Sequence, residues 1–430
     1  MFMEILKMRI KNFKSIFLLV AIFFSFSENI WAAQVLTWND CVQEAIAHHP
    51  DIVAAGAKLD QTKADKSIAK SNALPQINAN AVGKESQTGG KENIEAYSYS
   101  ISARQLLFDG FKTSNAIKQA NQNITADEYN YMVISSDVRL NLKQAFSGLL
   151  KAQELILLTQ SIAERRAQNL KLIKLRYQAG REHKGSLLTA EADLANAEFE
   201  VEQASRNLSL AQTTMVKALG WQKLEPIKVI GDFENNQSIA EIPDFEFLAD
   251  QTPLLKEFVA KKDAARFNLK SKKNDFFPEI YLDSSIGQSG SDWAPEDDDW
   301  MVGVSVSLPL FEGGNRIAQV SKAKASMKQA TAQEQSGRDS ILIALEETWS
   351  AYQDALGTVL VKKKFLEAGE ERAKIANAQY SSGLITFDDW IIIEDNLVET
   401  KKSYLNAQAN VLVNEAQWVQ AKGGILEYEN

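Results

Sequence analysis

The 430-residue chain contains one cysteine, three histidines and eight prolines, and each shortage closes off a class of protein. A lone cysteine cannot form an internal disulfide, so no cysteine framework holds the fold. Cys41 sits in TWNDCVQEA, without the small residues that precede a lipid-attachment cysteine, and reads as a buried structural thiol. His48 and His49 are adjacent, which keeps them off a single helix face, and His183 is the third. HExxH, GxSxG, GxGxxG and P-loop patterns are all missing, so no catalytic, metal or cofactor constellation is expected. Beyond the N-terminus no apolar run approaches the roughly 20 residues of a spanning helix. A net charge of −9 disfavours nucleic acid as a partner. Scarce proline with 24% charged residues suits long water-facing helices better than a compact enzyme core.

The N-terminus carries an export signal. Lys7, Arg9, Lys11 and Lys14 precede the apolar run from Ile16 to Phe26, and small residues follow at Ala32 and Ala33. A basic segment, a short apolar core and a small-residue cleavage site mark residues 1–32 as a removable signal peptide. The run is too short for a membrane anchor.

The remainder reads as two copies of one plan. A shift of 203 superimposes Pro50 on Pro253, Pro75 on Pro278, Gly110 on Gly313, Gly180 on Gly383 and Gly220 on Gly423. These rare residues each mark a change of structure, which is what an internal repeat requires. The first copy covers 33–220, with strands at 76–83 and 97–108, a long helix at 110–178 and a final helix at 184–219. The second covers 244–424, with strands at 279–287 and 300–310 and helices at 313–380 and 386–422. A connector at 221–243 joins them, and 425–430 is a tail.

The strands alternate. Tyr97, Tyr99, Ile101 and Ala103 interleave with serines and Arg104; Trp300, Val302, Val304 and Val306 interleave with Met301, Gly303, Ser305 and Ser307. Such a face packs on a protein core or lines the lipid side of a membrane barrel. Lengths near 9–11 residues suit a tilted membrane strand, and Tyr97, Tyr281, Trp293 and Trp300 are candidate interfacial aromatics. Four strands cannot close a barrel, and open edges are not tolerated in lipid, so a spanning sheet demands several chains. In the final helix of the first copy, Leu187, Ala190, Leu194, Ala197, Val201 and Ala204 step by three and four without a slip. That 3.5-residue period specifies left-handed coiled packing. A plain coiled-coil structural protein of the periplasm would share it, but would not explain strands spliced in at one end.

The signal peptide, the duplicated helix–strand–strand–long helix–turn–helix order, and RYQAG…SLLTAEADLANAE beside QYSSGLITFDDWIIIEDNLVETKKSYL resemble the TolC-type outer-membrane efflux proteins. The resemblance implies an α+β membrane protein: a homotrimer sharing one twelve-stranded barrel in the outer membrane of a Gram-negative bacterium, above a periplasmic α-barrel of coiled helices. It also implies a passive exit duct that works with a periplasmic adaptor and an inner-membrane RND or ABC pump. The expected cargo is small toxic compounds; one-step (type I) protein secretion is the alternative. The connector would belong to a belt around the tunnel. The helix turns would be periplasmic tips for adaptor contact, carried by Tyr177, Gly180, Arg181, Tyr380, Gly383 and Leu384. Arg181 departs from the apolar residue usual after the tip glycine. Asp389, joined by Asp388, matches a position that rings the closed pore, while Ile392 and Ser186 depart from that pattern. Equally, both aspartates suit a helix N-terminus. Gly110, Gly313 and Gly314 are the strand-to-helix corners, where glycine permits unusual backbone angles.

Overall fold

The computed structural model describes residues 34–428 apart from 88, 90–93, 225 and 234–240. The expected signal peptide at 1–32 lies outside the described residues. In each half the chain starts a 22-residue helix at a proline, α2 (Pro50–Ser71) and α6 (Pro253–Asn274). Proline fits there because the first helical N–H has no partner to lose. A hairpin follows, β2 (Gln76–Ser86) with β3 (Ile94–Phe108), and β5 (Glu279–Gly290) with β6 (Asp297–Ser307). Then come the long helices α3 (Lys112–Gln178) and α7 (Asn315–Ser382), and the return helices α4 (Lys184–Leu219) and α8 (Phe387–Ala421). Each of these elements in the second half begins 203 positions after its counterpart in the first.

Two connecting helices, α1 (Trp38–His48) and α5 (Phe245–Gln251), precede the halves. Thr37 and Asp40 cap the first of them reciprocally. Two short strands, β1 (Gln34–Leu36) and β4 (Ile227–Val229), pair in parallel, so the connector docks on the chain's first described residues. Their apolar side chains join Val42, Leu142, Phe146, Leu149 and Met215 in a core around fully buried Cys41, whose thiol burial pushes up to about 12. The second half has its own core, with Leu255, Ile341, Leu345, Tyr352 and Trp418.

The strands are longer than the alternation alone predicts at their distal ends, where polar residues continue the ladders. β6 falls short in the other direction, stopping at Ser307 rather than 310; Pro309 has no N–H to donate. The four strands form one antiparallel sheet in the order β2-β3-β5-β6, which leaves β2 and β6 as edges. None of the described helices is long and apolar enough to cross a membrane.

Candidate functional site

The sheet has two chemically distinct faces. Register pairs Ile101 with Ile286, Ile286 with Trp300, and Leu282 with Val304. Directly opposed residues share a face, so these side chains form one apolar surface. Ile286, Trp300, Val302, Val304 and Val306 are all well exposed on it. The opposite face is polar. Arg104 Nε donates to Asp283 Oδ1 at 2.6 Å and Ser305 Oγ donates to Asp283 Oδ2 at 2.5 Å.

This register corrects one expectation. Tyr281 pairs with Leu106 and Ser305, lies beneath the Arg104 guanidinium at 5.3 Å, and stands at the helix end of the sheet. Period-two alternation puts it on the polar face, so it is not an interfacial aromatic. Tyr97, Trp293 and Trp300 gather at the distal end instead, with the Tyr97 and Trp293 rings edge-on at 6.0 Å.

At the corner, Gly110 has φ +65° and a Cβ there would lie 2.3 Å from Cβ of Phe277. In the second half the corner is made by Gly313 and Gly314, at φ +58° and +84°, with open space around both. The first half has Phe111 where the second has Gly314, and Phe111 still takes φ +68°. A left-handed non-glycine residue costs about 1–2 kcal/mol. A bulge between Leu106 and Phe108 turns β3 into this corner.

Below the sheet, α3–α4 and α7–α8 are two long hairpins tied to each other. Arg165 grips Glu394 with two bonds of 2.6 Å, and the Glu394 side chain is only 2% exposed. Arg166 bonds Asp395, and Lys402 holds Glu200 at 2.7 Å. Bidentate guanidinium–carboxylate geometry fixes orientation as well as distance, so these ties set the hairpins' relative height.

The tip holds the densest cluster. Tyr380, 2% exposed, stacks on Trp390 with centroids 4.5 Å apart and planes 5° apart, and meets Phe387 edge-on. Arg176 lies over the Tyr380 ring at 4.4 Å and donates to the Tyr380 carbonyl at 2.7 Å. The Tyr380 hydroxyl donates to Glu182 Oε2 at 2.7 Å, and Ser186 Oγ donates to Glu182 Oε1 at 2.9 Å. Burial, then the Glu182 bond, pushes the Tyr380 hydroxyl well above its ordinary value. At Glu182 burial works to raise the carboxyl, but the bonds from Tyr380, Ser186 and the His183 N–H outweigh it and hold the carboxyl below its usual range.

The turns themselves end in left-handed glycines, Gly180 at φ +67° and Gly383 at +81°, with Arg181 N–H donating to Arg176 O and Leu384 N–H to Gln379 O. Arg181 is exposed, as is Leu384 at 74%, and Tyr177 is far more open than its counterpart Tyr380. Asp388 and Asp389 are exposed on the first turn of α8. Thr386 caps α8: the Asp389 N–H donates to Thr386 Oγ1, whose hydroxyl in turn donates to Asp389 Oδ2 at 2.7 Å.

An amphipathic sheet fused to two helices some 100 Å long (67 and 68 residues at about 1.5 Å each), each paired with shorter ones, has the form of a wall. The model of the family described as outer membrane efflux protein matches residues 41–221 and 248–424. The chain belongs to that family. It is 24% identical over 369 residues to the outer membrane efflux protein BepC of Brucella suis, covering 83% of this chain and 78% of the relative. It is 22% identical over 416 residues to the outer membrane protein TolC of Escherichia coli, covering 90% and 82%. Among solved structures, CusC aligns at a TM-score of 0.82 with 18% identity, over 93% of this chain and 96% of that one. Membership places the protein in the outer membrane and makes it an exit duct for efflux.

Within that duct, sequence reasoning reached Tyr380 and the turn glycines but missed Arg176, Glu182 and Trp390, which enclose Tyr380. It also missed the ties between hairpins. A signal existed: Arg165-Arg166 and Glu394-Asp395 are doublets of opposite charge, each roughly three to four turns from a tip glycine on antiparallel helices.

Proposed function

We propose that three copies close one conduit, each giving four strands to a twelve-stranded barrel and two hairpins to the tunnel below it. The observation that supports this reading most is the sheet: one face apolar, both edges unpaired, and its ends running through glycine corners into long helices. Backbone groups on an open edge find no partner in lipid, so only other copies can complete the barrel. Outer-membrane lipid meets the apolar face, with Tyr97, Trp293 and Trp300 at its rim, and the polar face lines the lumen. The connector at 221–243 joins a belt around the tunnel, where Ile227–Val229 is held against the first strand.

The tips hang in the periplasm and meet an adaptor, whose partner pump in the inner membrane, of RND or ABC type, supplies the energy. Tyr177, Gly180, Arg181, Gly383 and the outward Leu384 form that contact surface, with Tyr380 supporting it from within. Three-fold symmetry gathers Asp388 and Asp389 into a carboxylate ring that narrows the pore and favours cations over anions. Asp389 is already engaged by Thr386, which leaves Asp388 the freer of the two to face the pore.

Small toxic compounds are the cargo in this reading. Deleting the gene should raise sensitivity to such compounds while leaving the exported proteome intact. Loss of one secreted protein with unchanged sensitivity would assign the duct to type I secretion instead. Single-channel conductance in planar bilayers should rise when Asp388 and Asp389 are both changed to Asn; an unaltered conductance removes them from the constriction. A mature protein that stays dissolved without detergent would return it to the coiled-coil scaffold reading.

A further inference from the structure

We infer that Arg104 sets which charges the barrel admits, keeping the part of the lumen nearest the helices passable to anionic cargo. The inference rests on the reading that the polar face of the sheet lines a conduit, and it adds a residue that tunes what passes. The register orders that face into rungs, since directly opposed residues share a side. Counting away from the helices, one rung holds Gln76, Arg104, Asp283 and Gly303, and the next holds Asn78, Ser102, Ser285 and Met301. On the third, Asp299 lies in line with Gly287 and Ser100; on the fourth, Asp297 lies in line with Ser289 and Ser98. Three of these four rungs carry a carboxylate, and Arg104 is the one cation among them. Lys84 stands a rung further out, and Glu279, below, is met by Lys112 at 3.2 Å.

The Arg104–Asp283 pair turns its positive end to the water. Both oxygens of Asp283 are engaged, one by Arg104 Nε and the other by Ser305 Oγ. The Asp283 side chain is 19% exposed and that of Arg104 62%. Bonding through Nε uses one of the five N–H donors of the guanidinium. Arg104 borders a recess of about 590 Å³ together with Gln76, Asn78, Ser102 and Ser305. A carboxylate or phosphate group in transit there meets a guanidinium before it meets Asp283. Without Arg104 the same wall would present Asp283, Asp299 and Asp297 in succession, a column of one sign that repels anions. Arg104 therefore acts as a specificity residue as well as a cross-strand tie.

Charged thiol reagents read the potential at this height whatever the state of the tips. Ser102→Cys places a reporter on the uncharged rung beside Arg104, while the native Cys41 is fully buried. The protein purified from outer membranes in detergent is treated with methanethiosulfonates bearing either a sulfonate or a quaternary ammonium, and the ratio of the two rates is followed. A unit charge about 7 Å away in water moves each univalent rate about threefold, in opposite senses. Arg104→Ala should thus lower the anion-to-cation ratio about five- to tenfold at low ionic strength, and Asp283→Asn should raise it by a similar factor. Arg104→Lys and the double variant Arg104→Ala/Asp283→Asn should both stay near the parent ratio. In about 1 M salt, where the screening length falls to about 3 Å, the differences should vanish. A ratio unmoved by Arg104→Ala, in a protein that still runs as a trimer, overturns the role of Arg104. Differences that survive 1 M salt overturn it too, because they report access rather than charge. A reporter that neither reagent reaches, or a monomer in detergent, overturns the conduit reading on which the inference rests.

Discussion

The long helices α3 and α7 descend from the same plan and differ in how much company they keep. α3 buries eighteen residues and α7 eight. Five positions are buried in both: Ala120 and Ala323, Val138 and Ile341, Leu142 and Leu345, Leu149 and Tyr352, and Ile173 and Ala376, the last pair within one cluster at the tip that both halves share. Those buried only in α3 include Ser135 and Ser136, which lie against the second half; at the same places in α7, Arg338 is half-buried in ion pairs with Glu246 and Asp250 of α5, and Asp339 is exposed. One helix has its neighbour in the chain and the other does not. On the three-copy reading, the exposed face of α7 is the surface that another copy covers.

The most disruptive way to probe this comparison is to cut into both cores. Leu142→Ala and Leu345→Ala each remove a side chain with no solvent exposure and should each cost about 2–5 kcal/mol, read by thermal unfolding in detergent. Near-equal losses would bear out two autonomous cores; a much smaller loss at Leu345 would make the second half dependent on the first. Next comes Arg165→Ala, which leaves buried Glu394 without its partner. A cost of about 2–3 kcal/mol is expected, below the figure for a fully buried pair because Arg165 is 40% exposed. Glu191→Ala, at the exposed counterpart of Glu394, should stay within about 0.5 kcal/mol.

Tyr380→Phe deletes one hydrogen bond, worth about 1 kcal/mol, while Tyr177→Phe on the open counterpart should be silent. The Glu182 bond also sets a pH sign. Its carboxyl is held below the unfolded value, so its contribution is present above that value and is lost as pH falls through the lowered folded one. Acid should therefore loosen the tip in the wild type but less so in Tyr380→Phe, measured as the pH dependence of proteolytic cleavage at the turn. The smallest effect belongs to the corner: Phe111→Gly should stabilise by no more than about 1 kcal/mol, its relieved left-handed strain offset by lost ring packing on Phe108.

Much of this architecture was legible because proline and glycine punctuate it. Pro50 and Pro253 open helices, and Gly180 and Gly383 end them with positive φ. Strand alternation gave the two faces, yet the place of Tyr281 needed the register, since an aromatic near a strand end looks alike on either side. The heptads of α4 foretold close packing, and there the alanines Ala190, Ala197 and Ala204 are more deeply buried than the leucines beside them. Periodicity could not find Arg176 over Tyr380, or the Arg165–Glu394 tie. These contacts join elements more than two hundred residues apart and do not follow the 203-residue shift, so neither a local pattern nor the repeat points to them.

The gapless offset of 203 constrains how such a chain can change. One residue inserted midway along α3 alone would lift its tip by about 1.5 Å and swing it through roughly 100°. Arg165 would then pass Glu394 out of phase, and the Tyr380 ring would lose Arg176. Length in this protein can be altered only in matched increments on both hairpins, in steps near whole turns, much as two legs of a ladder must be extended together for its rungs to stay level.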